Sequence, residues 1–181
     1  HDMKKDTIVS VIEIYNDICY DILNLGNVIY QKEDKNGNIL LRGIATEKLS
    51  TKQNINKLFK TINENRKVGK SSQNKESSRS HLQIRLELSN GAFIKIIDLA
   101  GSERASQSHF INRKIYRENA EINKSLLVLK ECIRGIKEKS SHIPIRSSKL
   151  TRLLKESLDG KCNTYILGTI AQEQKNISDT M

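Results

Sequence analysis

An acidic residue and a glycine follow directly after a strongly apolar segment in the middle of the chain. Asp98 comes after residues 94–97, and Gly101 lies three residues later. A carboxylate at the end of a strand can hold the shell of Mg²⁺, and a glycine lets its backbone N–H approach a terminal phosphate. Ligands of open α/β sheets bind at this end of the strands. The pattern predicts a nucleotide site or, in the simpler interpretation, a turn that ends a strand.

A second polar segment lies shortly before this strand. It places Asn74, the adjacent hydroxyls of Ser77 and Ser78, the guanidinium of Arg79 and the imidazole of His81 within eight residues. Hydroxyls can bind Mg²⁺ or phosphate oxygens, and arginine can pair with a carboxylate elsewhere in the fold. The alternative interpretation is a polar, solvated loop that precedes a strand.

Together these two segments carry a specific resemblance. The pattern Asn-x-x-Ser-Ser-Arg-Ser-His followed by Asp-Leu-Ala-Gly-Ser-Glu resembles the switch I and switch II pair of kinesin motor domains. Flanking segments agree in order, at residues 13–16, 121–126 and 143–152, so the resemblance covers nearly the whole chain. It implies a P-loop NTPase-like α/β fold, in which a central mixed sheet carries helices on both faces.

The resemblance implies that ATP and Mg²⁺ bind between the two switches. Ser77 and Ser78 would meet the Mg²⁺ shell and the γ-phosphate, and Asp98 would hold Mg²⁺ through water. Gly101 would sense the γ-phosphate through its N–H. A salt bridge between Arg79 and Glu103 would close the switches and help to orient the attacking water. The resemblance therefore implies catalytic and cofactor-binding roles for Asn74, Ser77, Ser78, Arg79, Asp98, Gly101 and Glu103.

The same resemblance implies a basic surface that meets the acidic surface of tubulin. Asn123 would connect switch II to a long helix whose exposed side faces the microtubule. The alternative interpretation of the basic side chains is an ordinary solvated helix face. The residues expected to bind the microtubule are Lys124, Lys130, Arg134, Arg146, Lys149 and Arg152.

Within kinesins, residues 121–134 are similar to the internal-motor class that depolymerises microtubules. The sequence Lys130-Glu131-Cys132 and the length of the connection from Gly101 to Glu118 carry this similarity. We therefore expect either a stepping motor or, on this narrower resemblance, a depolymerase.

No Gly-x-x-x-x-Gly-Lys-Ser/Thr sequence occurs in the 181 residues, whereas kinesins carry this phosphate-binding loop upstream of the first strand seen here. We expect residues 1–181 to be one partial motor domain, and we expect this chain alone to be inactive as a microtubule-stimulated ATPase. The alternative hypothesis is a non-catalytic microtubule-binding module.

The composition of the chain limits the classes of molecule that it is expected to bind. The net charge of +10 favours an acidic partner such as nucleic acid, anionic lipid or an acidic protein surface, and a basic nucleic-acid binder is a third interpretation that rests on charge alone. Only 4% of residues are aromatic and there is no Trp, so most stacking platforms for single strands are missing, and we expect neither nucleic acid nor a membrane as the partner. No apolar run reaches the roughly 18–20 residues of a membrane span. The three cysteines have no zinc or disulfide spacing and are expected to be reduced. We expect a protein of the cytoplasm and the microtubule cytoskeleton, including the spindle, and no particular oligomeric state is indicated.

Several segments are predicted to be strands. Residues 7–15 form a β-branched run typical of a strand buried on both faces, and the turn sequence at 35–38 predicts a hairpin between small strands. Alternating apolar residues at 82–88 predict a strand with one buried face, and it turns into a second strand that ends at Asp98. Residues 164–170 are predicted to form a last buried strand.

Three segments are predicted to be helices. A capping box at 50–53 begins a helix that runs to about Arg66, with its apolar stripe in the core. A long amphipathic helix covers residues 118–139. A third helix follows Pro144, with Lys149, Arg152 and Lys155 opposite its apolar side. The stripes are Ile55, Leu58, Phe59 and Ile62; Ile122, Leu126, Leu129, Ile133 and Ile136; and Leu150, Leu153, Leu154 and Leu158.

Overall fold

A computed structural model describes four ranges of the chain, residues 7–68, 79–102, 113–160 and 162–169. Within these ranges, no helix is long and apolar enough to cross a bilayer. Four of the residues singled out above lie outside the described residues, namely Asn74, Ser77, Ser78 and Glu103.

The described strands form one sheet in the order β4-β3-β2-β1-β6-β7, with β5 paired to the beginning of β1. Every pairing within the described ranges is antiparallel. The strands are β1 (Thr7–Tyr15), β2 (Ile18–Asp21), β3 (Asn27–Glu33), β4 (Ile39–Arg42), β5 (Glu47–Leu49), β6 (His81–Glu87) and β7 (Phe93–Asp98). The α-helices are α1 (Lys52–Val68), α2 (Arg113–Lys137), α3 (Lys149–Leu153) and α4 (Lys155–Leu158).

Strand β1 is the centre of the fold because helices cover both of its faces. Val9 and Val11 pack with residues of α1, whereas Ile12 and Ile14 pack with α3 and part of α2. Alternate side chains of a strand point to opposite faces, so an apolar run without alternation is what a doubly covered strand requires. The predicted buried strand at 7–15 is confirmed, and so are helices on both faces of the sheet.

The turn predicted at 35–38 is present, and a second tight turn joins β1 to β2. Asn16 and Asp17 both have positive φ, of 50° and 55°, and join β1 directly to β2. Asparagine and aspartate tolerate this left-handed backbone, which a two-residue hairpin loop demands. Gly37, with φ of 79°, lies in the turn between β3 and β4.

Helix α1 begins one residue later than its predicted capping box. Thr51 Oγ1 accepts a hydrogen bond from the Asn54 N–H at 3.2 Å, and Asn54 Oδ1 accepts one from the Thr51 N–H at 3.1 Å. The prediction of Ser50 and Gln53 was therefore wrong by one position, because asparagine takes the role usually given to glutamate or glutamine. Within the predicted stripe, Leu58 and Ile62 are buried, but Phe59 is 54% exposed.

Strands β6 and β7 follow each other as predicted, and β7 ends at Asp98. The prediction of a single buried face for β6 was wrong, since His81 and Gln83 are buried along with Leu82. The reason is that β6 lies inside the sheet, between β1 and β7. Its first residue, His81, is also covered by α2, through Ser125.

Helix α2 begins earlier than the predicted residue 118, and its predicted seam holds in part, since Ile122 is buried and Leu126 and Leu129 pack against the core. Ile122, Ser125, Val128 and Cys132 are buried, but Ile133 and Ile136 are exposed. The buried positions mostly recur every three or four residues, and the small Ser125 and Cys132 allow close approach to the sheet. Size and fit, rather than hydrophobicity alone, decide which side of α2 faces the core.

For the last part of the chain, one prediction holds in part and one was wrong. After Pro144 the chain forms a 3₁₀ turn, Ile145–Ser147, and then α3 and α4, which are separated by Leu154. Of the predicted stripe, Leu150, Leu153 and Leu154 are buried and Leu158 packs against the same core. The predicted strand at 164–170 is not formed through residue 169, where the chain has no regular secondary structure and Tyr165 and Leu167 are more than 90% exposed. A strand is defined by hydrogen bonds to a neighbour, and no described strand lies beside this segment.

Candidate functional site

Three predicted site residues meet at one edge of the sheet. The register pairs Ile14 with His81 and Leu82 with Asp98, so the end of β1, the beginning of β6 and the end of β7 lie side by side. Arg79 immediately precedes β6, and Gly101 follows β7 by three residues. The described parts of the two polar segments are therefore neighbours at this edge of the sheet.

Asp98 offers its carboxylate to solvent at this edge. Its side chain is 69% exposed, and Oδ2 lies 4.0 Å from Nη1 of Arg66. Mg²⁺ in phosphate-transfer sites usually keeps several waters and binds one or two carboxylates together with phosphate oxygens. A single exposed carboxylate beside a basic group fits such an arrangement. In the described part of the chain, no group of three or more metal-binding side chains forms an all-protein cage.

Behind Asp98 lies a buried ionic network that sequence reasoning missed. Arg66, from the end of α1, places Nε 3.3 Å from Oε1 of Glu13 and donates from Nη2 to Ser80 Oγ at 3.0 Å. Ser80 in turn donates to Glu13 Oε1 at 2.6 Å. The signal was present in the sequence, since Glu13 is the only charged residue in an otherwise apolar β1 and had to have a partner.

His81 connects the site edge to α2. Its Nδ1 accepts a hydrogen bond from the Ala100 N–H at 3.0 Å, and its Nε2 lies 2.9 Å from Ser125 Oγ. Burial lowers the pKa of His81 from its usual 6.5 to about 4, which keeps the ring neutral at physiological pH. Sequence analysis placed His81 in the polar segment but did not predict this link.

A shallow cleft opens beside His81, between the ends of β1 and β6 and helix α2. Arg79 lines it together with Asp17 and Glu121. Two carboxylates near one guanidinium create a polar, charged cleft at the junction of the strand edge and the long helix. Arg79 therefore lies on the α2 side of the sheet.

Three predicted microtubule-binding residues share one exposed side of α2. At about 100° per residue, Lys124, Lys130 and Arg134 fall within an arc of about 120°. All three are exposed, and Lys124 pairs with Glu121 at 3.4 Å. Within the described ranges, neither Lys130 nor Arg134 has an ion-pair partner. This side of α2 carries an excess of basic charge, with the exposed Glu131 inside the same arc, and such an excess favours an acidic partner.

Arg146 is exposed but already paired within the chain. Its Nε and Nη2 each donate to the Glu33 carboxylate at 3.0 Å, and Lys155 Nζ lies 2.9 Å from the same carboxylate. Lys155 also contacts the Gly37 carbonyl. These bonds, first those from Arg146 and then those from Lys155, lower the pKa of Glu33 from 4.5 to about 2. The β3–β4 hairpin is thereby tied to the segment that carries Arg146.

We expect the Glu33 carboxyl to titrate near pH 2, and Arg146→Ala with Lys155→Ala to return its pKa toward 4.5. Because the folded-state pKa is lowered, the contact stabilises the hairpin above pH 4.5 and is lost as pH falls from 4.5 toward 2. The carboxyl carbon shift of Glu33, followed by NMR against pH, measures this directly. A midpoint near 4.5 in the unmodified protein would contradict the contact.

Lys149 and Arg152 are not on an open face, contrary to the predicted helix with a fully basic side. Both are half-buried, and Arg152 Nε is buried without a hydrogen-bond partner in the described ranges. The Lys149 backbone is held on both sides, since its N–H donates to Asp17 and its carbonyl accepts from Gln31. Leu154 keeps a helical backbone and donates its N–H to the Leu150 carbonyl, so the two short helices follow nearly one course. The contacts of Lys149 with the β1–β2 turn and β3 are what bring this side of α3 against the sheet.

Comparison with known proteins identifies the family. The model of the kinesin motor domain family matches residues 1–181. The chain is 36% identical over 192 residues to the kinesin-like protein KIN-8A of Oryza sativa subsp. japonica, covering 99% of this chain and 24% of that protein. It is 35% identical over 168 residues to the human kinesin-like protein KIF24, covering 90% of this chain and 12% of that one.

Solved structures agree with this match and confirm the expected fold class. The motor domain of the kinesin-related protein Kar3 of Saccharomyces cerevisiae superimposes with a TM-score of 0.72 at 29% identity. That match covers 97% of this chain and 57% of the Kar3 chain. The chain thus spans about a quarter or less of the length of these curated relatives and a little more than half of this motor structure. On the match along its whole length, the chain belongs to the kinesin motor domain family.

Proposed function

We propose that this chain is the switch and track-binding part of a microtubule-stimulated ATPase motor. The observation that carries the proposal is the link between the two ends of the site. At one edge of the sheet Arg79, Asp98 and Gly101 come together, and His81 bonds from that edge to the helix that presents a basic surface. An ATPase that is stimulated by its track requires such a connection between nucleotide and track.

In this proposal, each residue at the edge has one task. Asp98 holds Mg²⁺ through water, and Gly101 presents its N–H to the terminal phosphate. Ser77 and Ser78, with Asn74, contribute polar groups to nucleotide and metal, and Arg79 pairs with Glu103 to position the attacking water. Bound Mg²⁺ neutralises charge on the phosphates during transfer.

The test of this function is ATP turnover, with and without microtubules, by this chain alone and by a motor that carries this chain together with an upstream phosphate-binding loop. We expect turnover only in the motor with the loop, and we expect it to rise when microtubules are added, because track binding shifts the switches toward their closed arrangement. Microtubule binding without turnover in both proteins would favour a non-catalytic microtubule-binding module instead. Absence of both would reject the proposal.

We further propose that the motor belongs to the internal-motor, depolymerising class. The similarity of residues 121–134 supports this, and Lys130 and Glu131 lie on the exposed side of α2. Incubation with stabilised microtubules and ATP distinguishes the two activities. Shortening of the polymer from its ends supports depolymerisation, whereas gliding of intact filaments supports a stepping motor of the microtubule cytoskeleton.

The basic side of α2 makes a specific prediction about the track. Replacing Lys130 and Arg134 together with alanine is expected to weaken microtubule binding by about three- to tenfold, since exposed charge pairs contribute about 0.2–1 kcal/mol each. It should also flatten the dependence on salt, because ions screen these charges. Co-sedimentation at several salt concentrations measures both effects.

Lys57→Ala with Lys60→Ala is the matched control for charge. Both lysines are exposed on α1, which packs on the other face of β1. This control should bind microtubules within about twofold of the unmodified protein, since a general field of two charges has little effect at physiological salt. Equal weakening by both pairs would show that net charge, rather than the side of α2, drives binding.

A further inference from the structure

His81 is the side chain on which three separate segments of the chain converge. It is the first residue of β6, it accepts from the backbone of Ala100 beyond the end of β7, and it contacts Ser125 in the middle of α2. Ser125 continues the chain of bonds by donating to the Ile122 carbonyl at 2.7 Å. All four residues are at most 8% exposed, so water does not compete for these bonds.

The partners of His81 determine where its proton lies. A backbone N–H can only donate, so Nδ1 must be the unprotonated nitrogen. Nε2 therefore carries the hydrogen and donates to Ser125 Oγ, whose own hydrogen is used for Ile122. The bonds run in one direction, from Ala100 through the imidazole and the hydroxyl to the backbone of α2. Both ring nitrogens are satisfied only while the strand end and the helix keep this spacing.

Ala100 connects the hydrogen bonds of His81 to the turn at Gly101. Ala100 immediately precedes Gly101, and Ser125 lies one residue after Lys124 on the basic helix. A displacement of the turn at Gly101 would move the Ala100 N–H, and the buried ring would then lose a bond or move with it. Because an unpaired buried polar group is unfavourable, moving together is the lower-energy response.

We infer that His81 is a positioning residue that couples the turn before Gly101 to helix α2 through Ser125. This inference rests on the proposed function, in which Gly101 faces nucleotide and α2 faces the microtubule. Such coupling requires an element with two arrangements, whose equilibrium is shifted by binding at either site. The His81–Ser125 contact would transmit a change at either site to the other.

Two substitutions each remove the hydrogen bond between His81 and Ser125, and a third substitution controls for a change in packing alone. His81→Asn keeps an acceptor at the position of Nδ1 but loses the donor to Ser125, and Ser125→Ala loses the same bond from the other side. Cys132→Ala is the control, since Cys132 is fully buried on the same side of α2, two turns further on, without contact to His81.

The measurement is made on a motor that carries this chain together with an upstream phosphate-binding loop, and it is the ratio of microtubule affinities with a non-hydrolysable ATP analogue and with ADP. His81→Asn and Ser125→Ala should each reduce this ratio by about three- to tenfold, the equivalent of one hydrogen bond. The double variant should reduce it no further, because both changes remove the same contact. Cys132→Ala should leave the ratio within about twofold of the unmodified protein, since packing alone is altered.

Three results would overturn the inference: an unchanged ratio in both single variants, additive losses in the double variant, or an equal loss in Cys132→Ala. Amide hydrogen exchange provides a readout that does not need motor activity. Ser125→Ala should accelerate exchange at Ala100, 25 residues away in sequence, whereas Cys132→Ala should not. If microtubule binding by the unmodified protein does not depend on the nucleotide, the proposed function fails. Unchanged hydrogen exchange at Ala100 in Ser125→Ala would instead reject the coupling through His81, whatever the outcome for the proposed function.

Discussion

Replacing Arg79 with alanine is expected to lower microtubule-stimulated ATP turnover by about 10²-fold while nucleotide affinity stays within about threefold. Arg79 stands at the edge where β6 begins beside Asp98, and it lines the cleft between that edge and α2. In the proposed mechanism it closes the switches by pairing with Glu103. Losing a group that positions the attacking water affects the reaction far more than binding. Steady-state turnover and nucleotide titration separate the two quantities.

Arg42→Ala is the control, because Arg42 is an exposed arginine at the end of β4, away from this edge. It should leave turnover unchanged. Glu103→Ala should reproduce the Arg79→Ala result, and combining the two should add little, as expected for two groups acting as one unit. Full turnover in both single variants would reject the pairing.

Replacing Arg66 with methionine is expected to lower the free energy of unfolding by about 3 kcal/mol. The side chains of Arg66 and Glu13 are only 14% and 7% exposed, so the substitution leaves the Glu13 carboxylate in a buried site without its guanidinium partner. A buried charge that loses its partner is among the few single changes with an effect of this size. Denaturant unfolding of the full-length chain measures the loss.

Two variants test the cause of that loss. Adding Glu13→Gln to Arg66→Met should recover part of the stability, since a neutral amide can still accept from Ser80 and no unpaired charge remains. Lys60→Met removes the exposed pair with Glu64 and should change stability by less than about 1 kcal/mol. If the double variant were less stable than Arg66→Met alone, an unpaired Glu13 charge would not be the cause.

The candidate site was predictable from the sequence where function depends on residue type and order. A hydroxyl pair, an arginine and a histidine before one strand, and an aspartate and a glycine after the next, are recognisable without coordinates. Their approach at one edge follows from antiparallel pairing of neighbouring strands. The basic side of α2 was also predictable, because helical spacing alone places Lys124, Lys130 and Arg134 together.

The partners of these residues were not predictable in the same way. Arg66 and Glu13 are 53 residues apart, and His81 and Ser125 are 44 apart. Such pairs arise only when helices pack across the sheet, and sequence spacing carries no record of that packing. The pairing of Arg146 with Glu33, 113 residues away, is another example. From the sequence Arg146 was expected to bind the microtubule, whereas in the structure its side chain binds the β3–β4 hairpin.

The sequence by itself determined the elements whose cause is local: the β-branched run of β1, the turns at 16–17 and near Gly37, and the existence of α1 and α2. Tertiary structure decided which sides of those helices are buried, where the helix after Pro144 breaks, and that residues 163–169 form no strand within the described ranges. The reason is physical. Backbone preference and turn geometry act between near neighbours, whereas burial, ion pairing and strand pairing depend on groups that only the folded chain brings together.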